Sequence, residues 1–270
     1  MRRSGGLRSN AVRRAHAQSG RGVVAARGFS LIDMLVSLAI VALLMGILLP
    51  ALGRVREIAR QTVCASNARQ VGLGLRMFAD DNQGRLPMSQ FLDPTSVAGS
   101  GGRSVAAQQR RMVLLRFPYV PHMGQGRSVG GQWDGIGKLF ASEFLPASAV
   151  FYCPSHRGIH PHEVYAPRFN QQGASEIVSN YQYRGIGPNG QTRLDRLDSG
   201  VALVADALAG EEFFNHLGGF NVLVVDGSVR WFEDTGGLLA GRLAETATAT
   251  NDTLVGETWD RFDGMTTGGP

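Results

Sequence analysis

The chain has 270 residues, 43% of them hydrophobic and 18% charged, which is enough apolar material for a buried core. Its net charge is +5 and its isoelectric point about 9.7. Residues 1–28 contain seven arginines and no acidic residue, and without them 20 basic residues face 22 acidic ones, net −2. The basic charge therefore belongs to the N-terminal segment, which excludes nucleic acid as an expected partner.

The most apolar stretch runs from Phe29 to Leu49, 21 residues with three polar interruptions. As a helix it would be about 31 Å long, the thickness of the hydrocarbon core of a bilayer. A secretory signal peptide has only ~7–15 apolar residues, and no cleavage site of that kind follows Pro50. We therefore predict a single transmembrane helix, residues 29–50. The arginines of residues 1–28 predict a cytoplasmic N-terminus and an extracytoplasmic C-terminal domain.

The entrance to this stretch, Arg27-Gly28-Phe29-Ser30-Leu31-Ile32, resembles the processing site of type IV prepilins and of type II secretion pseudopilins. The resemblance implies that residues 1–28 are a leader peptide, that a prepilin peptidase cuts between Gly28 and Phe29, and that Phe29 becomes N-methylated. Asp33 stands fifth from the cut, where the family has Glu. Pro50 stands at the 22nd position, where many pilins have a proline that bends the helix.

Asp33 also has a physical explanation in such an assembly. A carboxylate without a partner costs about 2.5–3.5 kcal/mol at the centre of a membrane helix and less near an end. Asp33 lies one turn from the start, and cleavage would create a positive amine at Phe29. We predict that Asp33 of one subunit neutralises the Phe29 amine of the next subunit in a filament.

After Pro50, apolar residues continue at roughly helical spacing with charged residues between them. They are Leu52, Val55, Ile58, Val63, Val71, Leu75 and Phe78. The pattern predicts that residues 51–84 form the outer half of one long helix and pack on a globular domain. Gly84 is a candidate left-handed cap at its end.

Residues 85–234 are predicted to form that globular domain, with a polar loop insertion at 93–132. Residues 133–155 indicate a short helix and then a strand-like run that ends at Cys153, and residues 200–207 indicate a buried strand. The fold class is therefore α+β, a long helix against a small antiparallel sheet, as in pilins. Residues 235–270 are Gly/Thr/Ala-rich and are predicted to be a flexible tail.

Residues 220–234 predict a β-hairpin with Asp226-Gly227 as a two-residue type I′ turn. Pairing about that turn would put four apolar side chains on the face that covers the long helix. They are Val222, Val224, Val229 and Trp231.

The segment 216–234 carries a second resemblance. His216, nine residues, and then Asp226-Gly227 match the H-x9-DG signature of a group of bacterial prepilin-type proteins. Three other segments are similar to the same group: 50–87, 150–155 and 179–183.

His216 and Asp226 are not predicted to be catalytic. An extended strand between them would separate them by about 20 Å, too far to share a proton or a metal. The turn explains Asp226. His216 is expected nearer to Asp206, because an antiparallel strand ending at Asp206 and one beginning near residue 220 share an end; a structural hydrogen bond between them is the hypothesis.

Cys64 and Cys153 are predicted to form a disulfide, since the domain is expected in an oxidising compartment. The alternative is a metal site formed by Cys153 with His156, His160 and His162, whose spacing could reach a zinc ion. The surface-loop interpretation of these histidines is preferred. The pattern G-x-S-x-G at 126–130 lacks the strand and helix that a nucleophile elbow needs. No catalytic residue, metal or cofactor is predicted.

The sequence thus favours a pseudopilin-like structural subunit of a type II secretion or type IV pilus machine, not an enzyme. Its predicted partners are a prepilin peptidase, other pilin-like subunits and the inner membrane, in which the helix would be a single-pass anchor. The alternative is an anchored extracytoplasmic binding module, with or without a metal, whose helix is only a tether. Such a tether would need neither Gly28 nor Asp33 nor Pro50.

Overall fold

A computed structural model describes residues 30–90, 92, 113–117, 132–171, 175–208, 214–216, 218–245 and 251–266. The predicted junction of Gly28 and Phe29, and most of the predicted loop 93–132, lie outside the described residues. The chain divides into two compact units, residues 1–50 and 51–270. It is an α+β protein with a long apolar N-terminal helix and small antiparallel sheets.

The described residues contain five α-helices: α1 (Leu31–Asp81), α2 (Gly137–Ala141), α3 (His162–Phe169), α4 (Leu238–Glu245) and α5 (Asn251–Asp263). They also contain six strands: β1 (Leu114–Arg116), β2 (Ile177–Val178), β3 (Tyr181–Tyr183), β4 (Ala202–Asp206), β5 (Gly219–Val224) and β6 (Val229–Glu233). Strands β1 and β2 form one antiparallel pair, and a four-stranded sheet has the order β3-β4-β5-β6.

In the first unit, residues 31–50 of α1 are exposed on every side of the helix, including large apolar residues such as Leu43. This is the one helix of the described residues that is long and apolar enough to cross a membrane. The helix continues through Pro50, although proline has no N–H to donate to the carbonyl of Gly46. The predicted bend at Pro50 stays a prediction.

In the second unit, α1 buries one stripe, whose members are Cys64, Ala68, Val71, Gly74, Leu75 and Ala79. The predicted stripe is therefore right at Val71 and Leu75 and wrong at its beginning, where Val55 and Ile58 are exposed. The helix ends at Asp81, and both Gln83 (φ of +58°) and Gly84 (φ of +80°) then have the left-handed conformation. The Gly84 N–H bonds to the Ala79 carbonyl, as in a Schellman motif, so the left-handed cap is Gln83, one residue before the predicted Gly84.

The hairpin β5–β6 differs from the predicted one at its turn. Gly227 alone has a positive φ, +87°, whereas a type I′ turn needs two such residues. The Gly227 N–H bonds to the Val224 carbonyl, and the Val224 N–H bonds to the Ser228 carbonyl. The loop is thus one residue longer than predicted, a turn that ends in a bulge at Gly227.

That extra residue changes which side chains share a face. Leu223 pairs with Val229, and Val222 pairs with Arg230, so the predicted face is wrong. Leu223 and Val229 belong to the core that includes α1, whereas Val222 belongs to the core on the opposite face. A shift of one residue in an antiparallel pairing moves every side chain of one strand to the other face.

The opposite face of the sheet is covered by residues that were expected to be a flexible tail. Helices α4 and α5 bury six large apolar residues against β4 and β5: Leu239, Leu243, Leu254, Val255, Trp259 and Phe262. An ion pair also holds α5 there, because Arg184 Nη1 lies 2.7 Å from Asp263 Oδ1. The prediction was wrong for the described residues 235–245 and 251–266, because Gly and Thr between their apolar positions hid the helical periodicity.

Three smaller predictions can also be compared with the structure. Strand β4 confirms the buried strand within 200–207, since all of its residues are buried. The strand-like run before Cys153 is instead a 3₁₀ turn, Ser148–Phe151. Within the predicted loop 93–132, residues 114–116 form strand β1.

Candidate functional site

Four side chains with metal-binding or redox chemistry converge in the core of the second unit. One ligand atom from each of Cys64, Cys153, Asp206 and His216 lies within 4.8 Å of the other three. Three of these residues are buried, and only 2% of the His216 side chain is exposed. They come from positions up to 152 residues apart, so the tertiary fold creates the cluster.

Each residue is held by a different element. Cys64 is the first buried residue of the α1 stripe, and Asp206 is the last residue of β4. Cys153 follows the 3₁₀ turn, with its N–H bonded to the Asn180 side chain at 2.7 Å. His216 precedes β5, and its ring meets that of Trp231 at 5.7 Å between centroids. The cluster therefore joins the long helix to one end of the sheet.

Within the cluster, polar atoms lie at hydrogen-bond distance. The Cys64 thiol donates to Asp206 Oδ1 at 3.2 Å, and Cys153 Sγ lies 3.2 Å from His216 Nε2. His216 Nε2 lies 3.9 Å from Asp206 Oδ2, too far for a hydrogen bond but close enough for attraction between charges.

A second set of polar groups surrounds the four residues. Glu57 Oε1 accepts a hydrogen bond from His216 Nδ1 at 3.0 Å. Asp206 accepts one from the Asn215 side chain at 2.8 Å and one from the Asn221 N–H at 2.6 Å. Tyr181 OH lies 3.2 Å from Cys64 Sγ. The orientation of the imidazole and of the buried carboxylate is thus fixed from outside the cluster.

The electrostatic environment separates the two thiols. Burial, with Cys153 and Asp206 nearby, raises the pKa of Cys64 well above its usual range. Burial would also raise the pKa of Cys153, but hydrogen bonds from Cys64 and His216 outweigh it and lower that pKa. Of the two thiols, Cys153 is therefore the one that loses its proton more easily.

The imidazole and its outer partner are shifted toward their charged forms. Burial alone would lower the pKa of His216, but Cys153, Asp206 and Glu57 outweigh it and raise the pKa to about 9. Burial would raise the pKa of Glu57, and its hydrogen bonds with His216 and Ser155 lower it instead. A positive imidazolium between anionic groups is the arrangement that these pKa directions describe.

The residues predicted from the sequence fall partly into this cluster. Cys64 and Cys153 are close together, but the structure describes both as free thiols, so the predicted disulfide is not formed in it. His216 lies beside Asp206 as expected. The hypothesised hydrogen bond between them is replaced by bonds of His216 with Cys153 and Glu57.

The alternative metal group does not converge. His156 contacts the Asn215 side chain, His160 contacts Tyr165 OH, and His162 contacts Ser148 Oγ. Only Cys153 of that set belongs to the cluster found among the described residues.

Asp226 lies in the turn, as the sequence indicates. Its carboxylate accepts a hydrogen bond from the Ser228 N–H at 2.7 Å and pairs with Arg230 at 3.0 Å. These contacts, with the Ser228 hydroxyl and N–H first among them, lower the pKa of Asp226.

Asp33 has a partner that the sequence analysis missed. The Ser30 N–H bonds to Asp33 Oδ2 at 3.2 Å, and Ser30 Oγ accepts the Ile32 N–H at 3.3 Å. The Asp33 bond is that of a capping box, while Ser30 Oγ accepts from the second helical N–H and not from the third; both bonds satisfy backbone groups at the start of a helix. The sequence signal was Ser-x-x-Asp immediately before an apolar run. Asp33 thus caps α1 in addition to any role between subunits.

Three kinds of chemistry are open to the four-residue cluster: a disulfide, metal binding and nucleophilic catalysis. Cys153, His216 and Glu57 stand in the order nucleophile, base and orienting carboxylate. However, the Cys153 N–H, a natural oxyanion donor, is bonded to Asn180, and Cys153 is 4% exposed. Cys64 and Asp206 would also have no purpose in such a triad. The arrangement favours a structural centre.

Sequence reasoning found both pairs, Cys64 with Cys153 and His216 with Asp206, but did not join them. It also missed Glu57. The available signal was helical spacing, because Glu57 precedes Cys64 by seven residues and so shares its face of α1.

Comparison with protein-family models, with curated proteins and with solved structures finds no match to this chain. The protein is therefore classified by its fold alone: it is an α+β protein whose described residues include one N-terminal helix that could cross a membrane.

Proposed function

We propose that this chain is a pseudopilin-like structural subunit of a secretion or pilus machine, processed between Gly28 and Phe29. Residues 29–50 insert in the inner membrane and pack against the same segment of neighbouring subunits. The second unit stands on the extracytoplasmic side.

The observation that carries the proposal is the exposure of α1 in the first unit. Large apolar residues such as Leu35, Leu43 and Leu48 are each more than half exposed, on all sides of the helix. An apolar surface of this size is stable only when lipid or another protein covers it. A helix with no polar face can be covered by lipid and by like helices at the same time.

Asp33 can take part in assembly in addition to capping the start of α1. Its Oδ2 atom accepts a hydrogen bond from the Ser30 N–H. A carboxylate has further lone pairs, which can accept a hydrogen bond from the Phe29 amine of a neighbouring subunit. A neutral Asn could make the same cap without supplying charge. The cap and the charge can therefore be separated by substitution.

The first test is the N-terminus of the mature protein. We expect the full chain, expressed with an active prepilin peptidase, to lose residues 1–28 and to begin at a methylated Phe29. Intact mass and N-terminal sequencing measure this, and the same host without the peptidase is the control. A full-length chain in both hosts would contradict the proposal.

The second test separates the two roles of Asp33. We expect Asp33→Ala and Asp33→Asn to be cleaved normally but to lose the crosslinked oligomers seen in membranes, because the Phe29 amine would enter an apolar bundle without a counter-charge. Asp33→Glu should retain the oligomers.

Ser30→Ala is the matched control, because it removes part of the cap and leaves the charge. It should assemble like the natural chain. If Asp33→Asn also assembles normally, Asp33 acts only as a cap and the predicted pairing between subunits is wrong.

The alternative is a single-pass anchored binding module. The buried cluster is the observation in its favour, because a filament subunit does not require it. A tether would give monomers in the crosslinking experiment, with or without Asp33.

A further inference from the structure

We propose that Cys64, Cys153, Asp206 and His216 bind one zinc ion, which fastens helix α1 to the end of the sheet. The inference does not depend on filament assembly. It concerns a centre inside the second unit of the chain.

The number and kind of ligands fit zinc. Structural zinc sites have four protein ligands drawn from cysteine sulfur, histidine nitrogen and carboxylate oxygen. Two sulfurs, one imidazole and one carboxylate meet here. Soft sulfur ligands disfavour magnesium and calcium, which prefer sites made of oxygen.

The distances fit a tetrahedral ion. Zinc bonds of ~2.0–2.3 Å place neighbouring tetrahedral ligands ~3.3–3.8 Å apart. Cys64 Sγ lies 3.2 Å from Asp206 Oδ1, and Cys153 Sγ lies 3.2 Å from His216 Nε2. The His216–Asp206 separation is 3.9 Å. These contacts involve both Asp206 oxygens, and one ligand atom from each of the four residues lies within 4.8 Å of the others, so a bound zinc ion would draw the ligand atoms together by up to about 1 Å.

The surroundings are those that a zinc-binding histidine and carboxylate need. Glu57 accepts the His216 Nδ1 proton at 3.0 Å, which leaves Nε2 directed at the cluster. Such a carboxylate–histidine pair orients the ring and strengthens it as a ligand. Asn215 and Asn221 bond to the Asp206 carboxylate and fix its orientation in the same way.

A metal accounts for more of the cluster than a disulfide does. A bond between the two sulfurs would leave Asp206 and His216 buried beside it with no common purpose. Asp206 and His216 can balance each other's charge as a carboxylate and an imidazolium, so charge balance alone does not require a metal. A divalent cation would, however, use all four residues at once, which a disulfide does not.

One residue of the cluster also borders a cleft. Cys153 lines a cleft of about 350 Å³, together with Val63, Asn67, Tyr152 and His156. Once bound, the ion would be closed off by Tyr181 and the outer polar groups, so it would have a structural role and no position for substrate.

The test begins with metal content. The full chain, purified in detergent under reducing conditions and dialysed against zinc, should contain one zinc per chain by elemental analysis. Cobalt substitution should give a thiolate-to-cobalt charge-transfer band and tetrahedral d–d bands. Reduced, folded protein that takes up no zinc would overturn the proposal. A Cys64–Cys153 disulfide and no metal in protein isolated from its membrane would overturn it as well.

Variants assign the ligands. His216→Gln and Asp206→Asn should each weaken zinc binding by more than the about 10- to 100-fold loss expected for Glu57→Gln, an outer partner. His156→Gln is the matched control, because His156 contacts Asn215 but lies outside the cluster. It should bind zinc like the natural chain. Equal loss in His156→Gln and His216→Gln would count against the assignment.

Ligand variants could fail to fold, so a second measurement uses the natural chain alone. With zinc bound, both thiols should resist alkylation, and a chelator should expose both at once. Thiols that react at the same rate with and without zinc would rule out the site.

Discussion

The two units of the chain use one helix in opposite ways. In the first unit, α1 is apolar around its whole circumference and every residue from 31 to 50 is exposed. In the second unit, the same helix carries charged residues such as Arg56, Arg60 and Arg69 and buries a single stripe. Apolar residues are abundant in the first unit, yet buried apolar residues of α1 occur only in the second.

This difference shows that hydrophobicity and intramolecular packing are separate properties of a helix. An amphipathic helix directs its apolar stripe at its own domain. A helix that is apolar on all sides has no preferred direction within the chain, so its partners are lipid or other molecules. Substitutions along α1 can therefore test where its exposed apolar part ends and the part that packs on its own domain begins.

The largest expected effect is on folding stability in the second unit. Leu75 is completely buried, so Leu75→Ala should lower the free energy of unfolding by about 2–5 kcal/mol through lost transfer energy and a cavity. Denaturant unfolding of the full chain in detergent measures this.

Leu73→Ala is the matched control, because Leu73 lies on the same turn and is 60% exposed. It should change the free energy of unfolding by less than about 0.5 kcal/mol. Equal losses for the two variants would mean that the stripe does not define the packed side of α1.

The next effect is on the first unit alone. Leu43→Arg puts a charge near the middle of the predicted span, where insertion becomes less favourable by about 2.5–3.5 kcal/mol. We expect a smaller membrane fraction after alkaline extraction. Leu73→Arg, the same change on the exposed side of the second unit, should stay with the membrane. Equal extraction of both variants would contradict a membrane role for residues 31–50.

The two parts of α1 could be predicted from the sequence more accurately than the sheet could. Composition and spacing predicted the long helix, its end a few residues before Gly84 and the buried strand β4, because these depend on local periodicity. The hairpin face was wrong because one extra turn residue reverses the side that each strand residue faces. No local signal distinguishes that loop from a two-residue turn around Asp226-Gly227.

The candidate site shows the same limit. Cys64, Cys153, Asp206 and His216 were each noticed for chemical reasons, but their meeting point depends on long-range packing of α1 on the sheet. Helices α4 and α5 were missed because their apolar residues became recognisable as a core only against the outer face of β5. Spacing along the chain does not contain that information.

A smaller effect tests the turn that sets this packing. Leu223 lies against α1 at Gly72 only in the observed register, and Gly227 closes the turn with φ of +87°. Gly227→Ala should cost about 1–2 kcal/mol, because a side chain is disfavoured in the left-handed conformation. Thermal unfolding measures this.

Gly241→Ala is the control for that substitution. Gly241 lies within α4, and an added methyl group there meets nothing within 4 Å. Alanine should therefore stabilise the chain, by about 0.5–1 kcal/mol. A stabilising Gly227→Ala would show that the observed turn is wrong.

The smallest effect concerns residues 51–63, at the start of the second unit. This part of α1 lies between the apolar span and Cys64, the first buried residue of the helix. Ile58 is 62% exposed there, so Ile58→Ala should change the free energy of unfolding by less than about 0.5 kcal/mol. If the exposed side chains of this segment contact neighbouring subunits, the same variant should weaken crosslinked oligomers while leaving the fold intact. A loss of stability above about 1 kcal/mol would instead mean that Ile58 packs within its own chain, and that the part of α1 that packs on its own domain begins nearer to Pro50.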